Sequence, residues 1–295
     1  MPTSLKVSFA KAVCRFEGFG SSSFCDSWQW KLDPYRCLDK SQDYYELIFR
    51  NGSLDSEALD FSEKIYEVQD GFFLRQVFRL SKGETLWRYV RKSSGEVLLS
   101  YIVDSAWSQV TLCEDYSNTA GHMAFEYLGY IFPACGLKMD MLTFHGVLLE
   151  YKGYGLIISA SSGTGKTTHA RLWRDEKHAL ILNGDRAVCR KIEGKWTGFG
   201  LPWSGTSGEQ INRSVPIKIV VVLERKEVNR AFSISGEEAL AGVLSNLQWP
   251  TWDVQLTGKA MDLLDDFLRH VSVIRLQCRP DEEAVEVLEK ALLNL

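Results

Sequence analysis

No run of eighteen apolar residues occurs in this 295-residue chain, so no segment reads as a membrane span. The opening MPTSLKVSFAKAVCRFEGFG has no long apolar core behind its charges, so no export signal is expected and a cytoplasmic location is. An excess of positive charge is missing as well. With 34 Lys and Arg against 38 Asp and Glu, the formal charge is -4, which argues against a general affinity for nucleic acid or for an anionic membrane. Cysteine motifs are absent too: the seven cysteines (14, 25, 37, 113, 135, 189, 278) are odd in number and widely spaced, with no C-x-x-C and no His pair at zinc-finger spacing. Reduced, mostly buried thiols are expected. Neither repeats nor low-complexity tracts interrupt a composition that is 45% hydrophobic with nine tryptophans, that of a folded chain long enough for two domains.

What is present changes texture near residue 139. Before it, YYELIFRN (44–51), FFLRQVFRL (72–80), TLWRYVRK (85–92), EVLLSYIV (96–103) and SQVTLCEDY (108–116) are rich in aromatic and β-branched residues and are joined by turns such as SKGE and KSSGE. An antiparallel β-meander domain over 1–138 is expected. It ends in a helix within 117–138 that links the domains and that Pro133 interrupts. From 139 to 295 strands alternate with helices, so an α/β domain with a mixed sheet is expected, giving an α+β chain overall. LTFHGVLLEY and GLIISA form a hairpin through KGYG, TTHARLWRDE is a helix, HALILN a strand and IKIVVVLE (217–224) a central strand. Two helices, the strand VSVIRLQ and a last helix opened by Pro280 and Asp281 follow.

The chemistry concentrates in SASSGTGKTT (159–168). A phosphate-binding loop needs glycines that turn consecutive N–H groups into one concavity, a lysine for the outer phosphates and a hydroxyl for Mg²⁺. Gly163, Gly165, Lys166 and Thr167 supply these, between an apolar strand and a helix whose first N–H groups face the anion. The phosphates of ATP are therefore expected on Ser161, Ser162, Gly163, Thr164, Gly165, Lys166, Thr167 and Thr168. The full pattern has glycine at 160, where this chain has Ala160. Asp185, at the end of ALILNGD on a strand expected beside that of the loop, is the candidate metal acid with Thr167; an aspartate in a tight turn is the plainer reading. Arg186 either meets phosphate or pairs with Asp185.

FHGVLLEYKGYGLIISASSGTGKTT resembles the core of the HPr kinase/phosphorylase family, and SSGTGKTT is similar to the loop of ATP-dependent phosphoenolpyruvate carboxykinase. ILNGDRAV resembles the strand that both families end in an Asp-Asp pair. The resemblance covers 139–295 and is specific over 144–188. It implies a P-loop kinase fold, ATP and Mg²⁺, a homo-oligomer, and catalytic roles for Lys166, Asp185 and His145, the last near the reacting phosphate. Where the acid pair belongs, this chain has Gly184 and Asp185, and it lacks the Glu-x-Arg-Gly signature of the family. That implies an acceptor other than HPr: a serine hydroxyl of a peptide or protein, or free serine. In the stretch TGFGLPWSGTSGEQINR (197–213), Glu209 is the candidate second acid or base, Arg213 a candidate phosphate cation, and Trp203 with Ser204 candidate pocket walls; solvated loop charges are the alternative for the first two. Two rival readings stay open, carboxykinase or phosphorylase chemistry on the same fold, and a non-catalytic nucleotide sensor or assembly protein.

Overall fold

The computed structural model describes residues 4–18, 29–37, 45–52, 63–113, 121–161 and 163–293, without the side chains of 121 and 122. Ser162, Cys25, the expected helix cap at 117–120 and the ends of two expected strands (44 and 114–116) lie outside the described residues. Two compact units divide the chain, Met1–Met139 and Asp140–Leu295.

In the first unit, eight strands form one sheet: β1 (Ser4–Phe9), β2 (Ala12–Glu17), β3 (Tyr45–Gly52), β4 (Glu63–Asp70), β5 (Phe73–Arg79), β6 (Thr85–Arg91), β7 (Val97–Val103) and β8 (Gln109–Cys113), in the order β1-β2-β3-β8-β7-β6-β5-β4. From β4 to β8 the meander is antiparallel, as short turns require. The expectation of an antiparallel sheet throughout fails at β3, which is parallel to both β2 and β8 because no hairpin ties it to either. β1 and β2 escape a sequence reading because Ala10 and Lys11 turn at φ 52° and 59°, values that hairpins usually assign to Asn and Gly.

Helix α1 (Gly121–Lys138) belongs to the core of this unit instead of standing as a bare connector. Phe132 meets Phe9 at 5.6 Å between ring centroids, and Tyr101 Oη donates to Ala124 O at 2.6 Å. The helix runs on through Pro133, against expectation. A mid-helix proline costs about 3 kcal/mol, but Ile131, Phe132, Cys135 and Leu137 around it are all buried, and each large apolar side chain gains about 1.5–3 kcal/mol by burial. Burial wins. All six described cysteines are free, five of them buried.

The second unit comprises β9 (Met141–Tyr151), β10 (Tyr154–Ser159), α2 (Lys166–Lys177), β11 (Leu180–Asn183), β12 (Arg186–Ile192), β13 (Lys195–Phe199), β14 (Ser214–Arg225), β15 (Arg230–Ile234), α3 (Gly236–Leu244), α4 (Val254–His270), β16 (Ser272–Cys278) and α5 (Glu282–Leu293). Its mixed sheet runs β10-β9-β12-β13-β14-β16-β15, with β11 on β9 and an additional pairing of β10 with β14. β10, β14 and β16 are mutually parallel. Ile158, Val221 and Ile274, one from each, pack with Trp173 of α2 and Leu288 of α5. Among the described residues no helix is long and apolar enough to cross a membrane.

Candidate functional site

β10 ends at Ser159 with Val222 of β14 beside it on one edge and Gly146 of β9 on the other. The glycine loop therefore leaves the C-terminal end of an interior strand, where α/β sheets hold their ligands. Gly163 and Gly165 adopt φ 78° and 111°, left-handed values that a side chain would strain. Ala160 has no positive φ, and its methyl group is buried in the cluster around Trp173. Alanine for glycine at 160 thus costs no backbone strain.

Lys166 opens α2 and is 9% exposed. Its Nζ donates to Ala160 O at 2.7 Å and Ser161 O at 3.4 Å. Burial lowers the pKa of this ammonium, and the carboxylate of Asp185 raises it in part. A cation held by two carbonyls at a helix N-terminus is ready to exchange them for an anionic oxygen.

The strand leading to Asp185 does not lie beside β10, as expected; β11 pairs with the far half of β9, Leu180 opposite Glu150, because β9 and β14 already fill both edges of β10. Asp185 reaches the site through a turn instead. Asn183, fully buried, accepts the N–H of Asp185 at 2.9 Å and of Arg186 at 2.8 Å, and donates to Leu201 O and Trp203 O. The turn hands the chain to β12, where Arg186 pairs with His145, and Gly146 N–H donates to Asp185 O at 3.0 Å. His145 Nδ1 then lies 3.6 Å from Asp185 Oδ1, and Arg186 Nη1 3.4 Å from Oδ2. Burial first, and then the charge of Lys166, lower the pKa of His145, against the pull of Asp185, so the imidazole is neutral at pH 7. Lys166, Asp185, His145 and Arg186 form one cluster.

Glu209 and Arg213 do not join it. Glu209 Oε1 accepts from Arg174 Nη1 at 3.0 Å, eight residues or about 12 Å along α2 from Lys166. Arg213 pairs with Glu150, five residues or about 17 Å along β9 from His145. Trp203 and Ser204 are fully buried, the latter with its hydroxyl on Gln210 Oε1, so neither side chain walls an open pocket. The long glycine-containing stretch is a clamp on the Asp185 turn. Glu209 O accepts from Gly184 N–H, Leu182 O accepts from Ile211 N–H, and a Cβ on Gly205 would stand 2.7 Å from Asp185 Cγ.

The same clamp explains Gly184. A Cβ there would meet Ser207 Oγ at 2.2 Å and Ser207 Cβ at 2.6 Å, while that hydroxyl is held on Ser204 O at 2.6 Å. Gly184→Asp, which would restore an acid pair, is expected to overpack the turn and lower stability by about 1–3 kcal/mol. Urea unfolding of the variant measures the loss.

Sequence reasoning passed over His169, which is 2% exposed and accepts Trp173 Nε1–H at Nε2, 3.2 Å away. Burial pushes its pKa down to about 4. Below the ordinary value of about 6.5 the unfolded chain takes up a proton that the folded chain refuses, so stability is full above 6.5 and falls as pH drops towards 4. Between pH 7.5 and 5.0 His169 is expected to contribute a loss of about 2 kcal/mol. His169→Phe should lose correspondingly less over that interval, as urea unfolding at the two pH values would show.

A cation at the cluster would find hard oxygen donors in the Asp185 carboxylate and in the hydroxyl of Thr167, the residue after Lys166. Among the described residues no three His, Cys, Asp or Glu gather into a metal cage. Mg²⁺ suits such a sparse set, since it takes one or two carboxylates and completes its shell with water and phosphate oxygens.

No family model matches the sequence. Among solved structures the chain is similar to the Hpr(Ser) kinase/phosphatase from Coxiella burnetii, at 11% identity and a TM-score of 0.31, over 52% of this chain and 88% of that one.

Proposed function

We propose that the protein is an ATP- and Mg²⁺-dependent phosphotransferase whose acceptor is a hydroxyl, a serine of a peptide or protein or free serine. The observation that carries this reading is the meeting of Lys166, Asp185 and His145 at the end of β10, beside a glycine loop that leads into the N-terminus of α2. In it the N–H groups of 161–168 hold the phosphates. Lys166 leaves Ala160 O for the outer phosphates and neutralises the charge that grows on them. Asp185 and Thr167 would hold Mg²⁺, which when bound screens the β and γ oxygens.

The acceptor hydroxyl attacks the γ-phosphorus in line. Its proton passes to Asp185, the new P–O bond forms as the bond to the β-phosphate oxygen breaks, and ADP leaves. Neutral His145, on one oxygen of Asp185, and Arg186, on the other, orient the carboxylate. The test is incubation with γ-labelled ATP and cell extract. Label on a peptide, protein or small molecule supports the reading; nucleotide binding without transfer overturns it. One observation favours that second outcome, a nucleotide sensor: the place of a second acid at 184 is filled by Ser207.

A further inference from the structure

The stretch 197–213 carries four hydroxyl side chains, Thr197, Ser204, Thr206 and Ser207. Three are engaged. Thr197 Oγ1 donates to Lys195 O, Ser204 Oγ to Gln210 Oε1, and Ser207 Oγ to Ser204 O while it accepts Glu209 N–H at 3.2 Å. Thr206 is exposed, and among the described residues its hydroxyl has no hydrogen-bond partner. Its position gives that free hydroxyl a use. The short turn Gly205–Ser207 lies on the Asp185 carboxylate, since a Cβ on Gly205 would stand 2.7 Å from Cγ, 2.9 Å from Oδ2 and 3.0 Å from Oδ1. The backbone at Gly205 thus touches the group that takes the acceptor's proton, and the Cα of Thr206 is about 3.8 Å further along. The turn is anchored on both sides. Ser204 before it is fully buried, and after it Glu209 O accepts from Gly184 N–H while Glu209 Oε1 pairs with Arg174. Gly184 directly precedes Asp185, so the turn is fixed relative to the carboxylate.

Resting on the phosphotransferase reading of the site, we propose that the protein phosphorylates its own Thr206. A hydroxyl tethered beside the base needs no binding step to meet it. Thr206 Oγ1 attacks the γ-phosphorus of ATP held on the glycine loop. The new O–P bond forms as the bond from the γ-phosphorus to the β–γ bridging oxygen breaks; the hydroxyl proton passes to Asp185, and ADP leaves. Because acceptor and base belong to one chain, the reaction is first order in protein.

The test is incubation of the purified protein alone with γ-labelled ATP and Mg²⁺, followed by tryptic digestion and mass spectrometry. Cleavage after Lys195 and Arg213 releases 196–213 as a single peptide, and its fragmentation assigns the phosphate to one of the four hydroxyls. The expected result is label on Thr206, at a rate per molecule that does not change with protein concentration. Thr206→Val should lose the label while still transferring phosphate to cell extract, and Thr206→Ser should keep it. Asp185→Asn should slow self-labelling by roughly 10²-fold or more. Phosphate on another residue, a rate per molecule that rises with protein concentration, or no self-labelling by a preparation that does label cell extract, overturns the proposal and leaves the phosphotransferase reading standing. A preparation that binds ATP and labels neither itself nor the extract sinks that reading as well.

Discussion

Lys166→Ala is expected to lower phosphoryl transfer by roughly 10³-fold or more, the scale on which charge-stabilising groups in such sites act. The fold should survive. Lys166 is a partly desolvated cation whose hydrogen bonds go to two loop carbonyls, and burial already works against its charge. Removing it relieves that desolvation while costing one or two hydrogen bonds of about 1 kcal/mol each, so the change in stability is small. Single-turnover transfer from γ-labelled ATP, beside a thermal melt of the same preparation, measures both quantities. Undiminished transfer would remove the loop from the mechanism.

Asp185→Asn is the second variant with a large expected effect. The amide is nearly isosteric, so it keeps the close packing against Gly205, yet it can neither accept the acceptor's proton nor offer Mg²⁺ a charged oxygen. Transfer is expected to fall by roughly 10²- to 10⁴-fold, the range for loss of a positioned base, with a higher Mg²⁺ requirement. Two further readouts accompany the loss of the charge. The Mg²⁺ concentration at half-maximal rate should rise. The pKa of His145, followed by NMR titration, should fall further, because the charge of Asp185 is what holds it up against burial and Lys166.

Much of the second unit could be read along the chain, and the reason is local. The hairpin of β9 and β10, the helix after the glycine loop and the continuous apolar run of β14 each follow from patterns a few residues long, and the chemistry of Gly163, Gly165 and Lys166 is inherent in their residue types. Even Ala160 could be judged in principle, since it costs something only if its φ is positive, and it is not. Where the reading went astray, pairing or packing between distant segments decided. Helix α1 continues through Pro133 because its neighbours are buried, which no helix-breaking rule contains.

By itself the sequence determined where the glycine loop lies and which strand and helix carry it, because those depend on backbone freedom and side-chain type within ten residues. Only the tertiary structure decided how the other groups meet them. It brings Asp185 in through an Asn183 turn across β9, sends Glu209 to Arg174 and Arg213 to Glu150, and fills the space above Gly184 with Ser207. The physical reason is common to all of these: each depends on which segments the closed pairing of β10 with both β9 and β14 leaves side by side, and that is a property of the whole sheet.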